Sequence, residues 1–192
     1  MVDFKKTLAD EAPFKLSNET MDKFCSIMKP IKLKKRDILI DSGKVDTNIY
    51  IVKSGVIRRL YMDGMKETTV AFALAGTMII SYHSYCYRQP TYHQFEACCD
   101  CEIMVVTKEK FEELVAESHE FARWALNMAQ CQLFYNEVKQ TVINGDAMER
   151  YESLLKNRPE IIQTVSLRIV ASYLGVSQSY LSRIRKRLSK IK

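Results

Sequence analysis

The chain has 192 residues, 47% of them apolar and 27% charged, an ordinary globular composition with room for one or two packed domains. No apolar run approaches the roughly 20 residues of a membrane helix, and MVDFKKTLADEAPF lacks the apolar stretch of a secretion signal, so a cytoplasmic location is expected. The net charge is +6, but residues 147–192 hold ten Lys and Arg against Glu149, Glu152 and Glu160, which leaves 19 of the 29 basic and 20 of the 23 acidic residues to the rest. A near-neutral body with a basic end suggests a sensing or assembly part joined to a part that binds a polyanion.

In chain order, Ser17 can cap a helix carrying Met21, Phe24, Cys25 and Met28, which ends near Pro30. From Ile31 the apolar period shortens. Strand-type runs are expected at Ile31–Leu33, Ile38–Ile40, Ile49–Lys53, Val56–Met62, Thr68–Phe72, Met78–Tyr82, Gln94–Ala97 and Glu102–Val106. Turn residues such as Asp41-Ser42-Gly43, Ser54-Gly55, Asp63-Gly64 and Gln89-Pro90 separate them. Short strands at this spacing predict a small antiparallel barrel or jelly roll. Thr107 caps a further helix with Phe111, Leu114 and Val115 inside. Over Glu120–Ile143, Phe121, Trp124, Met128, Cys131, Tyr135, Val138 and Val142 alternate at three and four residues, a heptad seam. The seam predicts a parallel coiled coil and therefore a homodimer; the competing reading is a helix packed on its own domain. Asn144-Gly145 ends that helix as a hinge, and Asp146 with Glu149 forms an Asp version of the capping box. The next helix stops before Arg158-Pro159, and Glu160–Gln163 is expected as a turn.

The last stretch, Leu167–Leu188, reads as two short helices about a turn. Leu167, Val170, Ala171 and Leu174 line one face of the first, and Gly175 follows as a stop. Ser177 occupies the cap of the second, whose inner face is Tyr180, Leu181, Ile184 and Leu188. Ala171 lets the two helices cross closely. This is the pattern of a helix-turn-helix, whose second helix enters the DNA major groove. Its outward face offers Gln178, Ser179, Ser182, Arg183 and Lys186 to base edges and phosphates. Such helix pairs are common in helical domains, but from Ser166 onward there are seven basic residues and no acidic one. A purely structural pair usually mixes signs on its wet face.

The order of these parts resembles the Crp/Fnr superfamily of bacterial transcription regulators, over nearly the whole chain. The most specific stretches are Ile49-Tyr50-Ile51-Val52-Lys53-Ser54-Gly55 with Val56-Ile57-Arg58, and Ser166–Leu188; Arg150-Tyr151, Leu154-Leu155-Lys156 and Pro159-Glu160 resemble a subgroup with a short C-terminus. The resemblance implies an α+β fold in three parts: an N-terminal antiparallel jelly roll of the cyclic-nucleotide-binding type over 1–118, a dimerisation helix and hinge over 119–145, and a helix-turn-helix domain over 146–192. It implies a non-enzymatic regulator that binds palindromic double-stranded DNA as a homodimer, with RNA polymerase as a further partner. By match to the second helix, Gln178, Ser179 and Arg183 read bases, and Ser166, Ser177 and Arg185 contact phosphates. Four residues follow Leu188, so a wing hairpin is expected to be absent or very short.

The effector end is different. Cyclic-AMP-binding members hold the ribose with a Gly-Glu pair and the cyclic phosphate with an Arg-Ser pair. Here Ile80-Ser81 and Thr91-Tyr92-His93 stand in those neighbourhoods, so a cyclic nucleotide is not expected. An effector pocket, if open, is expected around Tyr82, Tyr85, Arg88, Thr91 and Tyr92, with apolar strand residues behind them. Cys98-Cys99-Asp100-Cys101 places only Cys99 and Cys101 on one strand face, too few for a structural zinc, so no metal or other cofactor is expected. Six irregularly spaced cysteines read as reduced thiols, and Cys25 alone near the N-terminus argues against the family's iron-sulfur cluster. Two other readings are weaker. A cupin-like metal or small-molecule protein would need more than His83, His93 and His119, and a ligand-binding scaffold would use its basic tail only on membrane or RNA.

Overall fold

The structure, a computed structural model, describes residues 4–143 and 146–188, with the backbone alone over 138–143. Helices α1 (Phe4–Asp10) and α2 (Asn18–Ile27) come first. Ser17 caps α2 as expected, its Oγ accepting from the Thr20 N–H at 3.3 Å. Eight strands follow: β1 (Lys29–Leu33), β2 (Ile38–Ile40), β3 (Ile49–Ser54), β4 (Ile57–Asp63), β5 (Lys66–Ala73), β6 (Met78–Ile80), β7 (Gln94–Ala97) and β8 (Cys101–Val106). They form two antiparallel four-stranded sheets, ordered β1-β8-β3-β6 and β2-β7-β4-β5.

The unbroken apolar run of β3 has a simple cause. Side chains alternate across a strand. Tyr50 and Val52 turn into the sandwich with Ile57, Phe95 and Ile103, while Ile49 and Ile51 turn out against the helices. Both faces of β3 are therefore dry, and neither tolerates a polar residue.

A short helix, α3 (Tyr82–Tyr87), stands where the sequence reading carries the strand to Tyr82 and then a loop. Ser81 starts it, with its carbonyl accepting from the Tyr85 N–H at 2.7 Å. Arg88 ends it in the left-handed region at φ 52°. The aromatic composition of YHSYCY conceals the helix, because Tyr favours strands.

After β8 come α4 (Lys108–Glu117), capped by Thr107, and α5 (His119–Ile143), 25 residues long. The first half of α5 is built into its own chain. Phe121 and Trp124 are 0% exposed and Met128 is also buried. Phe24 of α2 lies 4.7 Å from the Phe121 ring and 5.2 Å from Trp124, and Phe111 of α4 lies 5.2 Å from Phe121. This corrects the dimer-seam expectation for Phe121, Trp124 and Met128: a side chain sealed inside one chain has no surface left for a second copy. Cys131 is half-buried, and Tyr135 is exposed at the rim of a cavity. The Val138 and Val142 side chains lie outside the described residues.

The expected hinge Asn144-Gly145 and the wing region also lie outside the described residues. Asp146 then opens α6 (Ala147–Asn157) with the capping box complete. Its Oδ1 accepts from the Met148 and Glu149 N–H groups at 2.8 and 2.9 Å, and Glu149 Oε2 accepts from the Asp146 N–H at 3.0 Å. In place of the expected turn, α7 (Pro159–Thr164) begins with Pro at its first position, where no intrahelical donor is lost. The chain continues through α8 (Leu167–Tyr173) and α9 (Gln178–Leu188).

These C-terminal helices share one core with the second sheet. Val56, Phe72 and Cys98 pack with Tyr151, Leu154, Ile161, Val170 and Leu181. Helix α8 runs against β5, the edge strand of that sheet. Ser172 Oγ accepts from the Thr69 N–H and donates to the Glu67 carbonyl, both at 3.0 Å, so one hydroxyl satisfies two edge groups. Arg168 meets the Glu67 carboxylate at 3.5 Å.

Candidate nucleic-acid interface and internal cavity

The helix-turn-helix geometry follows from its small residues. Gly175 takes φ 67°, a left-handed turn that costs glycine nothing, and its N–H donates to the Ser172 carbonyl at 3.2 Å. The Val176 N–H donates back to the Ala171 carbonyl at 3.0 Å, closing the end of α8. Ala171 is buried at the crossing with α9. Ser177 Oγ accepts from the Tyr180 N–H at 3.2 Å and so caps α9. Leu181 and Ile184 turn inward.

The opposite face of α9 exposes Gln178, Ser179, Arg183, Arg185 and Lys186, with Ser182 half-exposed at its margin. Ser166, at the start of α8, is exposed and its hydroxyl makes no capping bond. Tyr180 departs from the inner face that the spacing assigns to it. It is exposed, and the Arg183 guanidinium lies 5.5 Å from its ring centre. At that distance the ring face attracts the cation and limits where the guanidinium can reach.

The second feature is a cavity of about 490 Å³ between the β4–β5 face, α5 and the C-terminal helices. Its floor is apolar, with Ile57, Ala71, Met78, Ile80 and Phe95. Its charged lining is Glu11 from the segment after α1, Arg59 from β4, and Arg150 and Arg158 from the C-terminal half. None of Tyr82, Tyr85, Arg88, Thr91 and Tyr92, the residues expected around a pocket, lines this cavity. Tyr82, Arg88 and Tyr92 are exposed, and Tyr92 stacks on His83 at 4.6 Å. The Tyr85 hydroxyl donates to Glu112 on α4, and the Thr91 hydroxyl is occupied by the His93 backbone at 3.1 and 3.2 Å.

Residues 30–118 match the family model of the cyclic nucleotide-binding domain. A sequence search of curated proteins finds no match. The structure is similar to FixK2 of Bradyrhizobium japonicum at 18% identity and TM-score 0.70, covering 85% of each chain. It is also similar to the c-di-GMP-responsive global regulator CLP of Xanthomonas campestris, at 17% identity, TM-score 0.71, covering 91% of this chain and 92% of that one. A CooA variant from Carboxydothermus hydrogenoformans matches at 22% identity, TM-score 0.65, covering 88% of this chain and 79% of that one. The chain has the Crp/Fnr regulator fold.

Within that fold, the sequence reading missed Arg59. Arg58 and Arg59 are consecutive on β4, so one of the two must point into the molecule. Arg58 has only 3% of its side chain exposed and is fully answered. It donates to Glu96 at 3.1 and 3.0 Å and to Glu67 at 2.9 Å. Arg59 takes the other face, and its buried Nε makes no hydrogen bond among the described residues. Burial alone pushes its guanidinium below the ordinary value, with no carboxylate offsetting it. Burial also raises the Glu11 carboxyl, against the pull of Arg158 and a hydrogen bond from Thr77.

The cysteine cluster is packed rather than open. Cys98 and Cys101 are buried, and burial pushes their thiols up to about 12 and about 11. Both are therefore neutral thiols at neutral pH. The Cys101 Sγ donates to the Cys99 carbonyl at 3.2 Å.

Proposed function

We infer that the chain is a dimeric, sequence-specific DNA-binding transcription regulator of the Crp/Fnr type, controlled by something other than cyclic AMP. The observation that carries this reading is the outward face of α9. Gln178, Ser179 and Arg183 stand exposed on a capped, well-seated helix, inside a segment with seven cations and no acid from Ser166 onward. Arg183 suits the O6 and N7 of guanine, and Ser166, Ser177, Arg185 and Lys186 suit phosphates. Two copies would present two such helices about one helical turn apart, so the site is a palindrome.

The dimer surface we assign is the exposed stripe of α5 that carries Leu126 and Leu133. Leu126 and Leu133, seven residues apart, are 60% and 64% exposed, and Phe134 is 59% exposed. That is a heptad interval of large apolar side chains with no partner of their own among the described residues. RNA polymerase is a further partner on this reading. Against a cyclic nucleotide stands the cavity itself: Ser81 is buried at the start of α3, and Arg88, the cation nearest the β6–α3 turn, lies outside the lining.

Selection from a random duplex library tests the reading. It should return a palindrome, and Arg183→Ala should relax one base preference and cost ~1–3 kcal/mol of specific binding. An unchanged ratio of specific to random binding in that variant would remove Arg183 from base reading.

A further inference from the structure

We propose that the cavity between the sandwich and the C-terminal helices binds a carboxylic acid with an apolar body, its carboxylate on Arg59 and its cover formed by Arg150 and Arg158. Three observations carry this. The first is volume. About 490 Å³ lies within the 300–1,000 Å³ range of small-molecule pockets, and most of the floor is aliphatic or aromatic.

The second is the fixed cation. Arg58 shows how this strand treats an arginine that needs no ligand: two glutamates hold it at 2.9–3.1 Å. Arg59, its neighbour, brings a guanidinium to an apolar wall, and its buried Nε meets no acceptor among the described residues. A buried donor left unmade is costly, and a buried cation without a counter-charge is more so. A carboxylate offers the planar pair of acceptors that a guanidinium fork fits.

The third is the charge balance. Arg158 already faces Glu11 and the Phe72 carbonyl, whereas the buried Nε of Arg59 meets no acceptor among the described residues, so the place for an anion is at Arg59. On the strand walls Arg59 is the only charged side chain, and the uncharged polar groups Gln132, Asn136, Ser153 and Asn157 come from the α5 and α6 side. The occupant is therefore an organic acid whose remainder is apolar. Because Arg59 belongs to the sandwich and Arg150 and Arg158 to the C-terminal half, such an acid would touch both parts at once.

This deepens the regulator reading by naming its effector class, but the binding is measured without DNA. Octanoate and 4-phenylbutyrate are titrated into the full chain by calorimetry, with octanol and cyclic AMP as controls. The acids should bind and octanol should not. Arg59→Met, which keeps the bulk and removes the charge, should weaken the acids at least tenfold, and Tyr92→Ala, outside the cavity, should leave them unchanged. Silence from both acids, equal binding by octanol, equal binding by Arg59→Met, or binding of cyclic AMP alone overturns the proposal. A chain that binds octanoate through Arg59 yet selects no duplex keeps this site and loses the regulator reading. A chain that selects a palindrome and ignores both acids does the reverse.

Discussion

The two stripes of α5 belong to one continuous helix and have opposite surroundings. Over its first turns Phe121, Trp124 and Met128 close an aromatic cluster with Phe24 and Phe111, and Glu120 accepts from the Ser17 N–H at 2.6 Å and the Ser17 hydroxyl at 2.9 Å. On another stripe of the same helix Leu126, Leu133 and Phe134 are exposed, and beyond Met128 the Gln132 Nε2 donates to the Met78 carbonyl at 2.7 Å. The inner stripe spends its apolar surface on the chain's own fold, while the outer stripe leaves Leu126 and Leu133, one heptad apart, exposed.

Removing the inner-stripe anchor should have the largest effect. Trp124→Ala should cost about 3–5 kcal/mol of stability, from lost burial plus the cavity left behind, read by denaturant unfolding. A loss below about 1 kcal/mol, the range of ordinary surface changes, would mean that the inner stripe is not core.

Acid should act on the same end. Hydrogen bonds from Thr20 and Ser17 hold the Glu120 carboxyl below its ordinary value of 4.5. A carboxyl depressed in the folded state contributes stability above the unfolded value and loses it as pH falls through the folded one. Melting temperatures of the parent protein should thus fall as pH drops below the ordinary carboxylate range, and Glu120→Gln should flatten that part of the profile. A parallel profile for the two proteins removes Glu120 from the acid response.

The smallest change in stability should come from the exposed stripe of α5. Leu126→Asp with Leu133→Asp should leave monomer unfolding within roughly 0.5 kcal/mol per site, yet sedimentation should shift from dimer to monomer. A double variant that stays dimeric moves the interface elsewhere.

Much of this molecule was readable in its residues. All eight strands fall near their expected positions, because turn residues punctuate runs of β-type side chains. Ser17, Thr107 and Asp146 cap the helices assigned to them. The seam of α5 was legible as a rhythm but not as a destination. Period 3.5 reports a flat partner surface and does not distinguish the chain's own helices from a second copy. Helix α3 was hidden by tyrosines, and with it the exposure of Tyr82 and Tyr92. The cavity was hidden for a different reason. Its cations come from β4, α6 and the α6–α7 junction, some 90 residues apart in sequence, and only folding brings Arg59 near Arg158. The one available signal was the Arg58-Arg59 doublet on a strand, which forces a charge inward.

The contact of α8 with β5 carries a last consequence, for motion. Ser172 is the group that satisfies the Thr69 N–H and the Glu67 carbonyl on an otherwise open strand edge. Rotating the C-terminal helices away hands both groups to water and uncovers a strand that could pair with another chain. Each such exchange costs on the order of 1 kcal/mol, small enough for a ligand's binding energy to supply. The resting position of α8 and α9 is therefore set by strand chemistry in the sandwich, and their freedom to turn is measured in hydrogen bonds on β5.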